Sequence, residues 1–298
     1  MGYPTTDLDD LKTLALDPKG ITLMVDRVEH LILLESIASA HQSSFSICVD
    51  IDLSMDLPGV RFGVYRSSIH QEKQLRNFLE HLKGCSSLKL VGMMGYEAQI
   101  AGVMDESSPL IKSLKKLSLT QLKKRRAEMF RIIESYGHKL QIVNGGGTGS
   151  LKHTAHEECV TEITIGSAFY APALFDHYED FKLSPALFFA LPVVRMPTPD
   201  IVTILGGGYI ASGELIPIKQ PQVYLPHGLS YLKHEGFGEV QTPLKLTRKD
   251  KLSLGDLVIL RHAKAGEICE RFNQISLIEG GNLVGKCLTY RGEGKSFL

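Results

Sequence analysis

Five short apolar runs, centred on Met24, Ile47, Val91, Ile142 and Ile163, alternate with amphipathic stretches across the first half of the chain. Apolar strands separated by helices are joined by crossovers, so they pair in parallel and are covered on both faces. The alternation therefore predicts βαβ units and a parallel sheet. In order, the pattern gives a helix from Leu8 to Leu16 capped by Thr6 or Asp7, then a strand from Ile21 to Val25 ending at Asp26. A helical stretch with Leu31, Leu34 and Ile37 leads to a strand from Phe45 to Val49 that ends in Asp50-Ile51-Asp52. A loop with Pro58, Gly59, Arg61 and Gly63 precedes an amphipathic helix from Gln71 to Leu82 and a strand from Leu88 to Met94. The long helix from about Ser113 to Tyr136 carries Leu117, Leu122, Met129, Phe130 and Ile133 on one face, and Lys123-Lys124-Arg125-Arg126 is read as its solvated side. The strand Leu140 to Val143, a helical segment Thr154 to Glu158 and a strand Val160 to Ile165 complete the series, with Tyr3 read as a strand stub at the start.

After about Pro185 the helical periodicity stops. Short β-rich runs (Phe188 to Val194, Asp200 to Leu205, Leu257 to Leu260 and Asn282 to Tyr290) are separated by Gly and Pro turns. The predicted organisation is a (β/α) domain over 1–184 and an all-β domain over 185–298. Gly206-Gly207-Gly208 is read as a turn that brings backbones together.

Composition restricts the partner. With 298 residues, 43% of them hydrophobic, the chain can bury a sizeable core. Lys plus Arg and Asp plus Glu both number 33, so no overall field attracts nucleic acid or an acidic membrane, and a small molecule is the expected partner. Five scattered cysteines form no close pair, which fits a reducing cytoplasm. No apolar run approaches the ~18 residues of a membrane span.

The chemistry concentrates after the fourth apolar run. Leu140 to Val143 leads into Asn144-Gly145-Gly146-Gly147-Thr148-Gly149-Ser150, where glycines let the backbone turn sharply and expose N–H groups beside a hydroxyl. Such a nest suits a phosphate; a glycine-rich turn that binds nothing is the alternative. In a (β/α) barrel the active site lies at the C-terminal ends of the strands, with phosphate held after the last two. Gly166-Ser167 ends the next run, so both glycine segments are expected to meet one phosphate. Asp26, Asp50, Asp52, Arg61 and Tyr96 stand at other strand ends on the same rim.

The run Val49-Asp50-Ile51-Asp52, then Arg61-Phe62-Gly63-Val64, Leu90 to Tyr96, Asn144 to Gly149 and Thr161 to Tyr170 resembles the alanine-racemase-type fold, pyridoxal-phosphate fold type III. Its D-threonine aldolase and D-serine dehydratase-like branch is the most similar, and the resemblance runs from Gly2 almost to Leu298. It implies a TIM-type barrel, incomplete at its N-terminus, with a C-terminal β domain, and pyridoxal 5′-phosphate as cofactor. Gly146, Gly147, Thr148 and Gly149, with Gly166 and Ser167, would hold the phosphate. Arg61 would face the phenolate oxygen of the ring, and Tyr96 would lie over the active-site mouth as an acid/base group or carboxylate contact. The tyrosine stands in Tyr96-Glu97-Ala98-Gln99, where the family has Tyr-Asp-Gly-His.

By the same resemblance the lineage is a cytoplasmic, homodimeric lyase, an aldolase or dehydratase acting on D-3-hydroxy amino acids, with an amino acid racemase as alternative. A divalent metal, zinc or manganese, would sit near the C-terminus, where this chain reads Arg261-His262-Ala263-Lys264. His262 is a candidate ligand, but a lysine ammonium offers no lone pair, leaving Cys269 or Glu267 as second ligand. The family's cofactor lysine belongs to a strand before the segment matching Gly2, so no cofactor–lysine bond, and no turnover through one, is expected on this chain. A non-catalytic phosphate-ligand or interaction protein is the reading from another class.

Overall fold

A computed structural model describes residues 4–17, 20–105, 108–213, 216–247 and 252–296; the stub expected at Tyr3 lies outside them. The chain divides into two compact units, residues 1–165 and 166–298. Among the described residues no helix is long and apolar enough to cross a membrane.

The first unit is a five-stranded parallel sheet with its helices. Strands β1 (Thr22–Val25), β2 (Phe45–Asp50), β5 (Leu88–Gly95), β6 (Ile142–Gly145) and β7 (Glu162–Ile163) lie side by side in chain order. All four pairings are parallel, with Met24 opposite Cys48, Met93 opposite Val143 and Gly145 opposite Ile163. All five apolar centres of the sequence pattern are thus strands. Helix α1 (Leu8–Leu16) starts at Asp7, whose carboxylate accepts the N–H groups of Asp9 and Asp10. Helix α2 (Val28–Ala40) buries Leu31, Leu34, Ile37 and Ala38. Helix α3 (Glu72–Leu82) begins with a capping box between Gln71 and Gln74 and buries Leu75, Phe78, Leu79 and Leu82, one stripe at helical spacing, and a single turn, α4 (Ala98–Ala101), follows β5. Each such side chain contributes about 1.5–3 kcal/mol when removed from water.

Three local features differ from the sequence pattern. The stretch read as a loop around Pro58 is a β-hairpin, β3 (Met55–Leu57) and β4 (Val60–Phe62), closed by Pro58-Gly59. Proline presets the first turn position and Gly59, at φ +77°, supplies the positive φ that follows. Residues 155–158 are not helical; α6 (Leu151–Thr154) ends where that helix was expected to begin. Beyond that end Glu157 is drawn inward to Arg126. Strand β7 is only two residues long.

The long helix α5 (Pro109–Ser135), capped by Ser108, corrects the reading of the basic run. Lys123 and Lys124 face solvent, but Arg125 is half-buried and Arg126 is fully buried. Helical geometry explains the split: Arg126 stands four residues after Leu122 and three before Met129, both buried. Leu117, expected on the apolar face, is exposed.

The second unit carries a six-stranded antiparallel sheet in the order β10-β13-β8-β9-β12-β11. Its members are β8 (Phe188–Thr198), β9 (Ile201–Leu205), β10 (Gln222–Leu225), β11 (Leu229–Tyr231), β12 (Gln241–Leu246) and β13 (Leu257–Arg261). Phe189, Leu191, Val202, Ile204, Leu244 and Leu260 alternate inward to form its core. The Gly206–Gly208 turn brings backbones together as expected, with the Gly208 N–H donating to Gly238 O. A separate hairpin, β14 (Gln274–Glu279) and β15 (Asn282–Leu288), exposes Leu277, Ile278, Leu283, Val284 and Leu288.

Candidate functional site

The parallel strands all present their C-terminal ends on one rim, where side chains need not fill the sheet's core and chemistry collects. Asp26 follows β1, Asp50 and Asp52 stand at the end of β2, Tyr96 and Glu97 follow β5, and the glycine loop follows β6. Asn144 locks the last two strands, its Nδ2 donating to Glu162 (2.7 Å) and Thr164 (2.9 Å).

The glycine loop is shaped by close packing. Gly146 has φ +94°, and a Cβ there would lie 2.8 Å from Ile163. At Gly147 a Cβ would stand 2.7 Å from the Ala101 methyl and 3.2 Å from the Tyr96 ring. The chain then turns through Thr148–Ser150 into α6, with Ser150 N–H donating to Gly147 O. Among the described residues, the N–H groups of Gly146, Gly147 and Gly149 find no backbone acceptor. Thr148 is buried beside them.

Tyr96 connects this loop to a small cavity of about 40 Å³ lined by Asp50, Asp52, Arg66, Ser67, Met94 and its own ring. Burial, reinforced by the charges of Asp26 and Asp52, pushes the Asp50 carboxyl up to about 7; Arg66 pulls the other way. Burial also raises the Tyr96 phenol. The Arg66 guanidinium lies 5.2 Å from the Tyr96 ring centre, within cation–π range. Sequence reasoning did not single out Arg66: it lies in an aperiodic loop, five residues after the more conspicuous Arg61.

Arg61 sits on β4. Its Nη1 is 3.0 Å from Asp52 and its Nε 3.0 Å from Asp56, while the guanidinium also covers the Tyr65 ring at 5.3 Å. His70 joins Asp56 at 2.6 Å, and Arg125 donates to the carbonyls of Asp52 and Ser54 at 2.8 and 2.7 Å. The hairpin bearing Arg61 is thereby tied to α5.

The other expected site residues belong to the second unit. Gly166 precedes a short turn over Ser167–Phe169, and a Cβ on it would meet nothing within 4 Å. His262 is fully buried: its Nδ1–H donates to Leu187 O (3.2 Å) and its ring meets Tyr170 edge-on at 6.2 Å. Burial pushes its pKa down, so the ring is neutral with a lone pair on Nε2, which has no hydrogen-bond partner among the described residues. The neighbouring groups do not complete a metal site. Lys264 Nζ donates to Ser212 O and Oγ, and the Glu267 carboxylate accepts the N–H groups of Ala263, Lys264 and Ala265. Burial raises the Cys269 thiol away from thiolate. Among the described residues, no three His, Cys, Asp or Glu side chains are grouped as a metal ion requires. The donor set around His262 therefore does not fit a divalent metal.

Residues 2–173 match the family described as alanine racemase, N-terminal domain. The chain belongs to that family. No curated protein matches it in sequence. Among solved structures, it is similar to D-threonine aldolase from Filomicrobium marinum, with 16% identity, a TM-score of 0.79, and coverage of 97% of this chain and 74% of that one. It is also similar to D-threo-3-hydroxyaspartate dehydratase from Delftia sp. HT23 (14%, TM-score 0.68, 96% and 77%). Alanine racemase from Clostridium difficile 630, in complex with cycloserine, shares the fold as well (13%, 0.60, 96% and 76%). These likenesses establish an alanine-racemase-like fold: a TIM-type barrel domain followed by a mostly antiparallel sheet domain.

Pyridoxal 5′-phosphate is the cofactor this family implies, and the described residues fit part of it. The glycine loop offers backbone donors for a phosphate. Among the described residues no lysine stands at the C-terminal end of any of the five strands. Lys89 is near the start of β5, and Lys152 lies in α6 beyond the loop.

Proposed function

We propose that this chain binds pyridoxal 5′-phosphate through the loop Gly146, Gly147, Thr148 and Gly149, and that it derives from lyases, aldolases or dehydratases, acting on D-3-hydroxy amino acids. The observation that carries this is the set of backbone N–H groups in that loop without backbone acceptors, packed against Tyr96 at the mouth of the Asp50 cavity.

When bound, the cofactor supplies electron withdrawal from the amino acid's Cα. The chain's own groups orient the ligand and manage protons. Asp50, half-protonated near neutral pH, is suited to hold or release a proton at its carboxyl. Tyr96 closes one side of the cavity, and Arg66 sets a positive charge against it. Arg61 keeps the hairpin in place through Asp52 and Asp56 and is the family's candidate for the ring phenolate.

The second reading, a binding protein without turnover, is favoured by the absence of a lysine from the described strand ends. A titration tests both. The phosphate ester is expected to bind saturably and about tenfold or more tightly than unphosphorylated pyridoxal. Borohydride is expected to leave no stoichiometric adduct in the protein's mass spectrum. Equal affinity for the two compounds would sink the phosphate reading, and a one-to-one adduct on a single lysine would sink binding without a covalent link. A homodimer is also proposed, supported by the exposed apolar residues of the β14–β15 hairpin. Sedimentation equilibrium is expected to return twice the chain mass, and a monomer at micromolar concentration would refute it.

A further inference from the structure

We propose that Glu97, clamped by Arg126, is the positioning residue of the glycine loop. This assignment rests on the reading that the loop holds a phosphate. Glu97 follows Tyr96 and is fully buried. One carboxylate oxygen accepts from Arg126 Nη2 at 2.7 Å. The other accepts two hydroxyls, Ser150 Oγ at 3.0 Å and Thr154 Oγ1. Those residues stand at the two ends of α6, immediately after Gly149, so the carboxylate draws the exit of the loop onto the end of β5.

Arg126 holds the assembly from the other side. It is fully buried, donates to Gly95 O at 3.0 Å and pairs with Glu157 at 2.5 Å. A Cβ on Gly145 would lie 3.0 Å from its Nη2, so the entry of the loop passes directly over the guanidinium. The loop is thereby fixed at Gly145, Ser150, Thr154 and Glu157 by one Arg–Glu pair. Two carboxylates and one guanidinium carry a net negative charge, which does not attract a phosphate. Their effect is geometric: the Ser150 and Thr154 hydroxyls are turned inward, while the N–H groups of Gly146, Gly147 and Gly149 are left without backbone acceptors. Preorganised donors bind an anion without the entropy cost of ordering a mobile loop.

Thr154 provides the test, because valine copies its shape without the hydroxyl while serine keeps the hydroxyl. The probes are pyridoxine 5′-phosphate and pyridoxine, which carry no aldehyde and bind without a lysine. In Thr154→Val the affinity for the phosphate ester is expected to fall about tenfold, as for a lost hydrogen bond to a charged acceptor, with pyridoxine unchanged. Thr154→Ser is expected to stay within about twofold of the unmodified chain. If Thr154→Val does not fold, Ser150→Ala carries the same expectation. A folded Thr154→Val chain with an unchanged phosphate preference, or Thr154→Ser failing equally, overturns the proposal. If the unmodified chain shows no phosphate preference, the functional reading falls separately, and hydrogen exchange decides the positioning role. Faster exchange at the Gly146 to Ser150 amides in Thr154→Val then sustains it, and unchanged protection refutes it.

Discussion

Replacing Arg126 with methionine is expected to destabilise the first unit by about 3–5 kcal/mol, the usual cost of removing one partner from a buried ion pair. Methionine fills much of the guanidinium's space, so the loss is electrostatic rather than a cavity. Glu97, with no exposed surface, and Glu157, nearly buried, would be left without their cation. Two buried carboxylates left without a cation are costly to keep charged. Urea denaturation of Arg126→Met at pH 7.5 should therefore show a clearly lower midpoint than the unmodified chain. Arg126→Lys keeps the charge but has no planar fork to reach Gly95 O, Glu97 and Glu157 together, so an intermediate loss is expected. Lys124→Met, on the exposed side of the same helix, should be indistinguishable from the unmodified chain. A deficit in Arg126→Met no larger than that of Lys124→Met would show that the buried pair does not hold this unit together. Arg126 Nε and one Glu157 oxygen lack hydrogen-bond partners among the described residues, so the intact network is itself imperfectly satisfied. Breaking it is expensive because of the charge left behind, even though the pair's net contribution is modest.

The contrast between Arg126 and Lys124 shows what the sequence conceals. Five strand centres, the Asp7 cap and the α3 stripe follow from periodicities of two and 3.6 and from capping chemistry, which act within a few residues. The Pro58-Gly59 turn was legible by the same local rule, with apolar residues on either side, although the stretch read as a loop. The inward turn of Arg125 and Arg126 was half legible. Their spacing from Leu122 and Met129 put Arg126 on the buried face, but a buried arginine needs partners, and these come from residues 29 positions before it and 31 after it. No window reading supplies that pairing. Tyr96-Glu97-Ala98-Gln99, as a departure from a family motif, conveyed loss; in the structure both changed polar residues are used. Glu97 receives Ser150 and Thr154, and Gln99 donates to Leu53 O and Ser118. The glycines of the loop were readable as a turn, but what each one avoids (Ile163, Ala101, Tyr96 or Arg126) is a tertiary fact.

Replacing Asp50 with asparagine is expected to stabilise the chain at pH 8. Asparagine preserves the size of the side chain and removes the charge that burial and the neighbouring Asp26 and Asp52 oppose. Asp50 is held near pKa 7 in the folded state against an ordinary value of 3.8, so the native protein binds this proton more tightly than the unfolded chain does. Stability from this group is complete below about pH 4, declines as pH rises towards 7 and is flat above. A shift to about 7 corresponds to roughly 4 kcal/mol at most, an upper bound because water and side-chain rearrangement relieve part of it. The advantage of Asp50→Asn, measured by denaturation at pH 8, 6 and 4.5, should shrink steadily, to about a quarter of its pH 8 value at the lowest pH. A pH-independent difference would show that Asp50 does not titrate near neutrality in the folded chain. The site retains this cost although a neutral residue of the same shape would avoid it. Three carboxylates, Asp26, Asp50 and Asp52, stand at the ends of two adjacent strands of one sheet. Stability alone gives no reason to group them, whereas a rim that must hold or release a proton near neutral pH does. Asp50→Asn should therefore separate the two demands, with greater resistance to urea at pH 8 and loss of the titration that wild-type ligand binding is expected to show near pH 7.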